Sequence, residues 1–213
     1  MRILAIDTTS EFGSLALQED QWLLEEMPLH ASSGFSPVLY GYIDALLKKY
    51  DWPLASIDVF ASAAGPGSFT GVRVGLTAAK GLADATGRGA LAVSNLQALA
   101  AYGQSGIRAV IIDARRGEIY GAVYDAQLRI VSPEVVSAFQ PWLASLNSKP
   151  QEIISPDFSA FRASFTMDVP IREQRTLAAA IARIAEKTPA VDPTYLDANY
   201  VRRSDAELFW TDK

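Results

Sequence analysis

Residues 64–75 read Ala-Gly-Pro-Gly-Ser-Phe-Thr-Gly-Val-Arg-Val-Gly, and they follow an apolar run at 57–63. The apolar run predicts a buried strand, and the stretch 70–85 that continues from the glycines predicts a helix. The glycines therefore sit in a tight strand-to-helix turn, where backbone can approach a ligand or another segment closely. The amides of a helix N-terminus in such a place favour an anion. The turn is not a Walker A loop, because Gly71 is followed by Val72 and Arg73 rather than Lys and Ser or Thr. It is not a dinucleotide fingerprint either. The spacing differs, and the acid expected about 20 residues on, after a second strand, is replaced by Asp84 inside the same predicted helix.

The rest of the chain fills in an α/β pattern. Residues 2–6 and 13–17 predict a hairpin joined across Asp7-Thr8-Thr9-Ser10, with a third strand around 22–27. Ser36-Pro37 predicts a helix start, and Leu39, Ile43, Leu46, Leu47 and Tyr50 follow on one face. Ser94-Asn95-Leu96-Gln97 has the capping-box pattern and opens another helix. A strand at 108–113, a turn at Arg115-Arg116-Gly117 and a strand at 118–125 come next. Further on, the sequence predicts a helix near 142–146, a strand at 152–155, a helix at 177–187, and an irregular or returning final segment after Asp192-Pro193. One idea is used twice. Ile3-Leu4-Ala5-Ile6-Asp7 leads through a polar turn to Gly13, and Ala109-Val110-Ile111-Ile112-Asp113 leads likewise to Gly121. Duplicated units and chance both account for so loose a repeat.

Composition narrows the function. With 49% hydrophobic and 20% charged residues, the chain of 213 can bury a sizeable core, so dominant disorder is excluded. The apolar stretches run only a handful of residues, far short of the roughly 20 that a membrane helix needs. The N-terminus reaches Asp7 too soon for a secretory signal, and a cytoplasmic protein is the expectation. There are no cysteines, hence no disulfide and no thiolate chemistry. The net charge is -5 and neither half is basic, so a partner is expected to carry most of any nucleic-acid contact.

Four groups of residues invite a functional reading. Asp7, Thr8, Thr9 and Ser10 at a strand end fit a phosphate or Mg²⁺ site, and equally an Asp turn with local hydroxyl bonds. Gly65, Gly67 and Ser68 fit the same phosphate-facing role. Gly71, Gly75, Ala79 and Ala83 form a stripe of small residues that admits a close helix neighbour, either this chain's own Leu39/Ile43/Leu46 helix or another subunit. Arg115 and Arg116 fit a phosphate or tRNA contact, or two solvated turn arginines. His30 is the single histidine, reads as a loop residue, and leaves Ser32, Ser33 and Ser36 without a hydrolase relay. No catalytic constellation and no metal site emerges.

Taken in order, these segments resemble the TsaB family. The matching runs are Ile6-Asp7-Thr8-Thr9-Ser10, the glycine segment through Gly75, Ala79-Lys80-Gly81-Leu82-Ala83, Val93-Ser94-Asn95-Leu96-Gln97-Ala98-Leu99-Ala100 and Asp113-Ala114-Arg115-Arg116-Gly117-Glu118-Ile119-Tyr120. That family is the bacterial subunit of the tRNA threonylcarbamoyladenosine machinery, formerly grouped with glycoprotease-like proteins. The resemblance is dense over 1–125, fades over 130–190 and returns at Tyr200-Val201-Arg202-Arg203-Ser204-Asp205-Ala206-Glu207. The chain departs from its relatives at His30-Ala31-Ser32-Ser33-Gly34-Phe35-Ser36-Pro37, where a His-Ser-Glu-type run is common.

The resemblance implies an actin/Hsp70/sugar-kinase-like fold: two duplicated, hairpin-led domains, the second reduced, here divided as 1–103 and 104–213. Asp7 and Asp113 would then open equivalent hairpins facing a cleft. It implies as partners the catalytic paralogue TsaD, the ATPase TsaE and, through the complex, tRNA, with a homodimer when alone. It places the TsaD contact and the homodimer contact on the helices predicted at 36–50 and 70–85. It implies no cofactor of the chain's own, with ADP or ATP at the subunit junction. TsaD holds a metal with a His-x-x-x-His pair, whereas four positions after His30 stands Gly34. A non-catalytic scaffold is the leading expectation. A stand-alone ATPase or small-molecule kinase built on Asp7 and the glycine turn is the alternative, and a peptidase the third.

Overall fold

The computed structural model describes residues 1–201. Each half of the chain begins with three antiparallel strands. In the first half these are β1 (Arg2–Asp7), β2 (Phe12–Glu19) and β3 (Trp22–His30), followed by helix α1 (Leu39–Lys49), strand β4 (Val59–Ala63), helix α2 (Phe69–Thr86), strand β5 (Gly89–Val93) and helix α3 (Asn95–Ala100). The second half runs β6 (Ile107–Arg115), β7 (Glu118–Asp125), β8 (Ile130–Ala138), α4 (Phe139–Ser145), β9 (Glu152–Ser155), α5 (Ser159–Arg162), β10 (Ile171–Glu173) and α6 (Ala178–Lys187).

The two five-stranded sheets have one strand order, β3-β2-β1-β4-β5 and, read from the other end, β8-β7-β6-β9-β10. In both, the first strand pairs antiparallel with its hairpin partner and parallel with the fourth. The loose repeat in the sequence is therefore a repeat of topology. Both hairpin turns also use the same device, an aspartate accepting the amide two residues on: Thr9 N to Asp7 Oδ1 at 2.9 Å and Arg115 N to Asp113 Oδ1 at 2.7 Å.

Strand β1 is buried on both faces, which explains its unbroken apolar run. Leu4 and Ile6 face α1 and α2, beside Leu39, Ile43, Leu46, Val72 and Ala79. Ile3 and Ala5 face the other way, into a core shared with Val110, Ala122 and Tyr124 of the second sheet and with α6. The outer face of the second sheet packs on Phe139, Trp142, Phe158 and Phe161.

Helix α6 follows the last strand of the second sheet but packs on β1 and β2. Its free amides explain the return. Ser14 Oγ on β2 accepts from Leu177 N at 3.2 Å and Ala178 N at 3.0 Å, and Glu26 on β3 accepts from Ala179 N at 3.0 Å. Three of the four amides a helix start leaves unpaired thus end on the first sheet, one of them on a carboxylate that suits the dipole. The crossing between α3 and β6 is held by Glu152, only 2% exposed, which accepts from Gln104 N and Ser105 N at 2.6 Å each. Arg108 lies 3.7 Å from the same carboxylate.

Several elements differ from expectation. Helix α1 starts at Leu39 rather than at Ser36-Pro37, and no side chain caps it. The buried Phe35 decides this: its carbonyl accepts from both Val38 N and Leu39 N, which leaves Ser36 and Pro37 in the preceding turn. His30 ends β3 instead of lying in a loop, and its ring stacks on Phe12 at 5.0 Å between centroids. Strands β5, β8 and β10 had no separate prediction.

The stripe on α2 resolves toward the chain's own core. A side chain at Gly75 would come within 2.7 Å of Thr8 Oγ1 and 2.8 Å of Ser62 Oγ, and one at Gly71 would collide with the Thr8 carbonyl. Gly75, Ala79 and Ala83, like Leu39, Ile43 and Leu46, are buried within the chain. The expectation that these side chains meet a partner is corrected accordingly, because burial against β1 and β4 already consumes that face. Gly75→Leu and Ala79→Leu should each lower the urea midpoint, at a cost of about 1–3 kcal/mol or more from overpacking, before any effect on association. Glu152→Ala should cost about 3–5 kcal/mol in the same measurement, because it strands Arg108 and two backbone amides.

Candidate functional site

The Asp7 turn, the glycine turn and the start of α3 converge at the C-terminal edge of the first sheet. Asp7 is 1% exposed, and Oδ1 accepts from Thr9 N and, at 2.7 Å, from Thr9 Oγ1. Thr8 Oγ1 donates to the Gly71 carbonyl at 2.7 Å. Ser68 N donates to the Thr9 carbonyl at 2.7 Å, and Ser68 Oγ caps α2 by accepting from Gly71 N at 3.2 Å. Ser10 Oγ bonds both the amide and the carbonyl of Phe12.

Asn95 ties the three segments together. Its side chain donates to Thr9 Oγ1 at 2.7 Å and to the Pro66 carbonyl at 3.1 Å, and it accepts from Gly65 N at 3.1 Å. Its own amide donates to the Gly65 carbonyl at 2.8 Å. In the sequence Asn95 reads only as part of a capping box. The cap is real, since Ser94 Oγ accepts from Leu96 N and Gln97 N, but the buried Asn beside it does the joining.

Structure thus brings Asp7, Thr8, Thr9, Gly65, Gly67 and Ser68 together, yet turns their polar groups on one another. Gly67 lies against the Thr9 carbonyl, so close that a Cβ there would sit 2.8 Å from it. Of the two readings weighed for the Asp7 turn, the local hydroxyl bonding is the one these distances describe. Among the described residues no group of three or more His, Cys, Asp and Glu could hold a metal ion.

Burial raises the Asp7 carboxyl to about 6, with the two Thr9 bonds opposing and Glu26 adding repulsion. The folded state therefore binds this proton more tightly than the unfolded state, whose carboxyl titrates near 3.8. The associated stability is complete below that lower value and is lost as pH rises through about 6. Asp7→Asn keeps an oxygen for Thr9 and removes the titration. Compared with this variant, the wild type should lose on the order of 2 kcal/mol of unfolding free energy between about pH 4 and pH 7, measured by urea unfolding of both proteins.

Arg115 and Arg116 sit exposed at the tip of the second hairpin, both with left-handed backbone at φ 68° and 57°. Arg115 pairs with Asp113 at 3.4 Å.

A concave feature lies between α1 and α2. A groove of about 380 Å³ is lined by Leu39, Tyr40, Phe69, Arg73, Thr77 and Ala78 among others. Tyr40 is 55% exposed and Phe69 47%, unusual for large apolar side chains. The Arg73 guanidinium lies 3.7 Å from the centroid of the Phe69 ring, and Arg73 Nε donates to the Tyr200 hydroxyl at 3.2 Å. On the helices expected to meet a partner, Tyr40, Phe69, Arg73 and Thr77 line this groove, whereas the small-residue stripe faces inward. An aromatic inside the glycine segment, Phe69, was the available signal.

Two sheets of one strand order, each entered through a hairpin that turns on an aspartate, make this an actin/Hsp70/sugar-kinase-like protein. Comparison with known proteins carries the assignment further. Residues 26–198 match the family described as TsaD: tRNA N6-adenosine threonylcarbamoyltransferase. The chain belongs to that family. It is 29% identical to the tRNA threonylcarbamoyladenosine biosynthesis protein TsaB of Bacillus subtilis, over 99% of this chain and 98% of that protein. Identity to the TsaB protein of Escherichia coli is 38%, over 58% of this chain and 55% of that protein. The solved structure of YeaZ from Pseudomonas aeruginosa superposes with a TM-score of 0.79 at 25% identity, covering 93% of this chain and 99% of that one.

Proposed function

We propose that this chain is a non-catalytic subunit of the machinery that forms threonylcarbamoyladenosine next to the anticodon of ANN-decoding tRNAs. In this reading it holds the catalytic paralogue TsaD in an active arrangement, with TsaE as the associated ATPase and tRNA bound through the complex. One observation carries the scaffold role: a member of this family with one histidine in 213 residues cannot assemble a two-histidine metal site. The relatives named as threonylcarbamoyladenosine biosynthesis proteins support the process.

The docking face in this reading is the exposed side of α1 and α2, with the groove at its centre, and the homodimer of the isolated chain uses it too. ADP or ATP belongs at the subunit junction. The hydroxyls of Thr8, Thr9 and Ser68 being engaged within the chain supports that placing over a site of the chain's own. They also weigh against the stand-alone ATPase or kinase, which hydrolysis of ATP by the purified chain, abolished in Asp7→Ala, would restore. Among the described residues no helix is long and apolar enough to cross a bilayer.

The test is modification of tRNA by TsaD and TsaE supplied with preformed threonylcarbamoyl-adenylate, with and without this chain, alongside size-exclusion chromatography. Dependence of both modification and a co-eluting complex on the chain is the expected outcome; indifference of both rejects the proposal. Tyr40→Asp and Phe69→Asp should abolish co-elution without unfolding, because an acid in the first helical turn is favourable to the helix itself. Charge reversal at Arg116 probes tRNA contact at the second hairpin, and unchanged modification would remove that role.

A further inference from the structure

Helices α1 and α2 carry charge that the chain itself does not use. The charged side chains of α1 are Asp44, Lys48 and Lys49, and those of α2 are Arg73, Lys80 and Asp84. Asp44 pairs with Lys48 at 2.7 Å, Lys49 with Glu25 at 2.5 Å, and the Lys80 ammonium donates to the Leu196 carbonyl at 2.8 Å. Arg73 and Asp84 are both exposed, and neither meets an opposite charge among the described residues. They stand about three turns and 16 Å apart on one side of α2, with Thr77 and Gly81 between them.

Arg73 is held ready for a carboxylate. Its guanidinium lies 3.7 Å from the centroid of the Phe69 ring, and its Nε donates to the Tyr200 hydroxyl at 3.2 Å, which fixes the plane and leaves the terminal amino groups to receive an anion. Tyr200 is brought there by the strap that returns after α6. Val191 exchanges both backbone bonds with Ala90 at 2.9 Å, and Asn199 N donates to the Ala64 carbonyl at 2.8 Å. Asp84 is placed at a cost, because an acid in the last turn of a helix opposes the dipole and no cation of the chain offsets it. Gly81 has no reason within the chain either. A Cβ there would meet nothing within 4 Å, although glycine inside a helix is unfavourable. A missing side chain on an exposed face suits the close approach of another helix.

A second copy of the chain supplies what is missing. Turned end for end about a two-fold axis near Thr77, α2 of the copy sets its Asp84 against Arg73 and its Arg73 against Asp84, so the ion pair forms twice. Helices side by side in the same direction would instead oppose Arg73 to Arg73 and Asp84 to Asp84. Tyr40 and Phe69 stand exposed beside this row and add apolar area. Lys80, which would meet its twin near the axis, is turned aside onto Leu196.

We infer that two copies of this chain pack α2 against α2 antiparallel and are locked by reciprocal Arg73–Asp84 ion pairs, with Tyr200 positioning the arginine. The inference rests on the function proposed above only in taking the α1–α2 face for the homodimer. Co-elution with TsaD decides that reading, whereas the ion pairs are read on the isolated chain.

The test is sedimentation equilibrium of the isolated chain and its variants. Arg73→Glu and Asp84→Arg should each weaken the dimer about a hundredfold, since each sets like charges together twice. The double variant restores both attractions and should dimerise within about threefold of the wild type. A monomeric wild type, single variants that dimerise as it does, or a double variant no better than the singles overturns the inference. Both side chains are exposed, so the variants stay folded, which circular dichroism checks. Tyr200→Phe should weaken the dimer about fivefold, and not at all in an Arg73→Ala background; equal losses in both remove Tyr200 from the lock. The chain has no cysteine, so Thr77→Cys near the axis should cross-link between copies through a short bis-maleimide. Ala85→Cys, about 20 Å from its twin, should not. Equal yields from the two overturn the antiparallel register.

Discussion

The first sheet and the helix above it meet at a place where two backbones nearly touch, and much of the molecule is arranged to permit it. Helix α2 lies so close to the turn after β1 that Gly71 and Gly75 leave no room for a Cβ against Thr8 and Ser62. The gap is bridged by Thr8 Oγ1 on the Gly71 carbonyl and by Ser68 N on the Thr9 carbonyl. Asn95 then locks the glycine turn to Thr9 from the start of α3. A buried network of this kind is fully satisfied or costly. Here it is satisfied inside the chain, which makes the sequence's most ligand-like segment a joint of the fold.

The same economy couples the two halves. The amides that start α6 end on Ser14 and Glu26 of the first sheet. Glu134 on β8 accepts from Ser94 at the start of α3, from Tyr124 on β7 at 2.7 Å, and from Asn199 in the returning strap. Polar groups that would be stranded between the two halves of the chain are thus paired with one another. The surface left open is the outer side of α1 and α2, where aromatic rings stand exposed around a groove. Under the function proposed above, a tightly bonded joint at Asp7 and a pre-formed face here suit docking, since a pre-formed surface loses little in ordering on association.

Much of the fold was legible in the sequence where one segment alone decides the outcome. Strong apolar runs gave β1, β4 and β6, and a serine before an amphipathic stretch gave α3. The repeated Asp-ended hairpin left duplication and chance both open, and the shared strand order of the two sheets decides between them. What escaped were elements whose reason lies elsewhere in the chain. Strand β8, with Ser132, Pro133 and Glu134 in it, lacks clean alternation and exists because β7 offers it an edge. The start of α1 was misplaced because the buried Phe35 outweighs the local signal of Ser36-Pro37. At the candidate site, the residues of the Asp7 and glycine turns could be named, but not whether they bind a ligand or each other. Asn95, which bonds Thr9, Gly65 and the Pro66 carbonyl, looks in the sequence like any residue after a helix cap.

By itself the sequence determined many of the strands and helices, the lack of cysteine and of a second histidine, and the resemblance to TsaB-like chains. These depend on residue type and local spacing, which the chain carries wherever it goes. Tertiary structure decided the direction each functional-looking group faces. The small stripe of α2 turned inward because Thr8 and Ser62 sit where its missing side chains would be. Phe69 and Tyr40 turned outward on the other side of the same helices. Burial and partnership are properties of distance between remote segments, and only the folded chain supplies those distances.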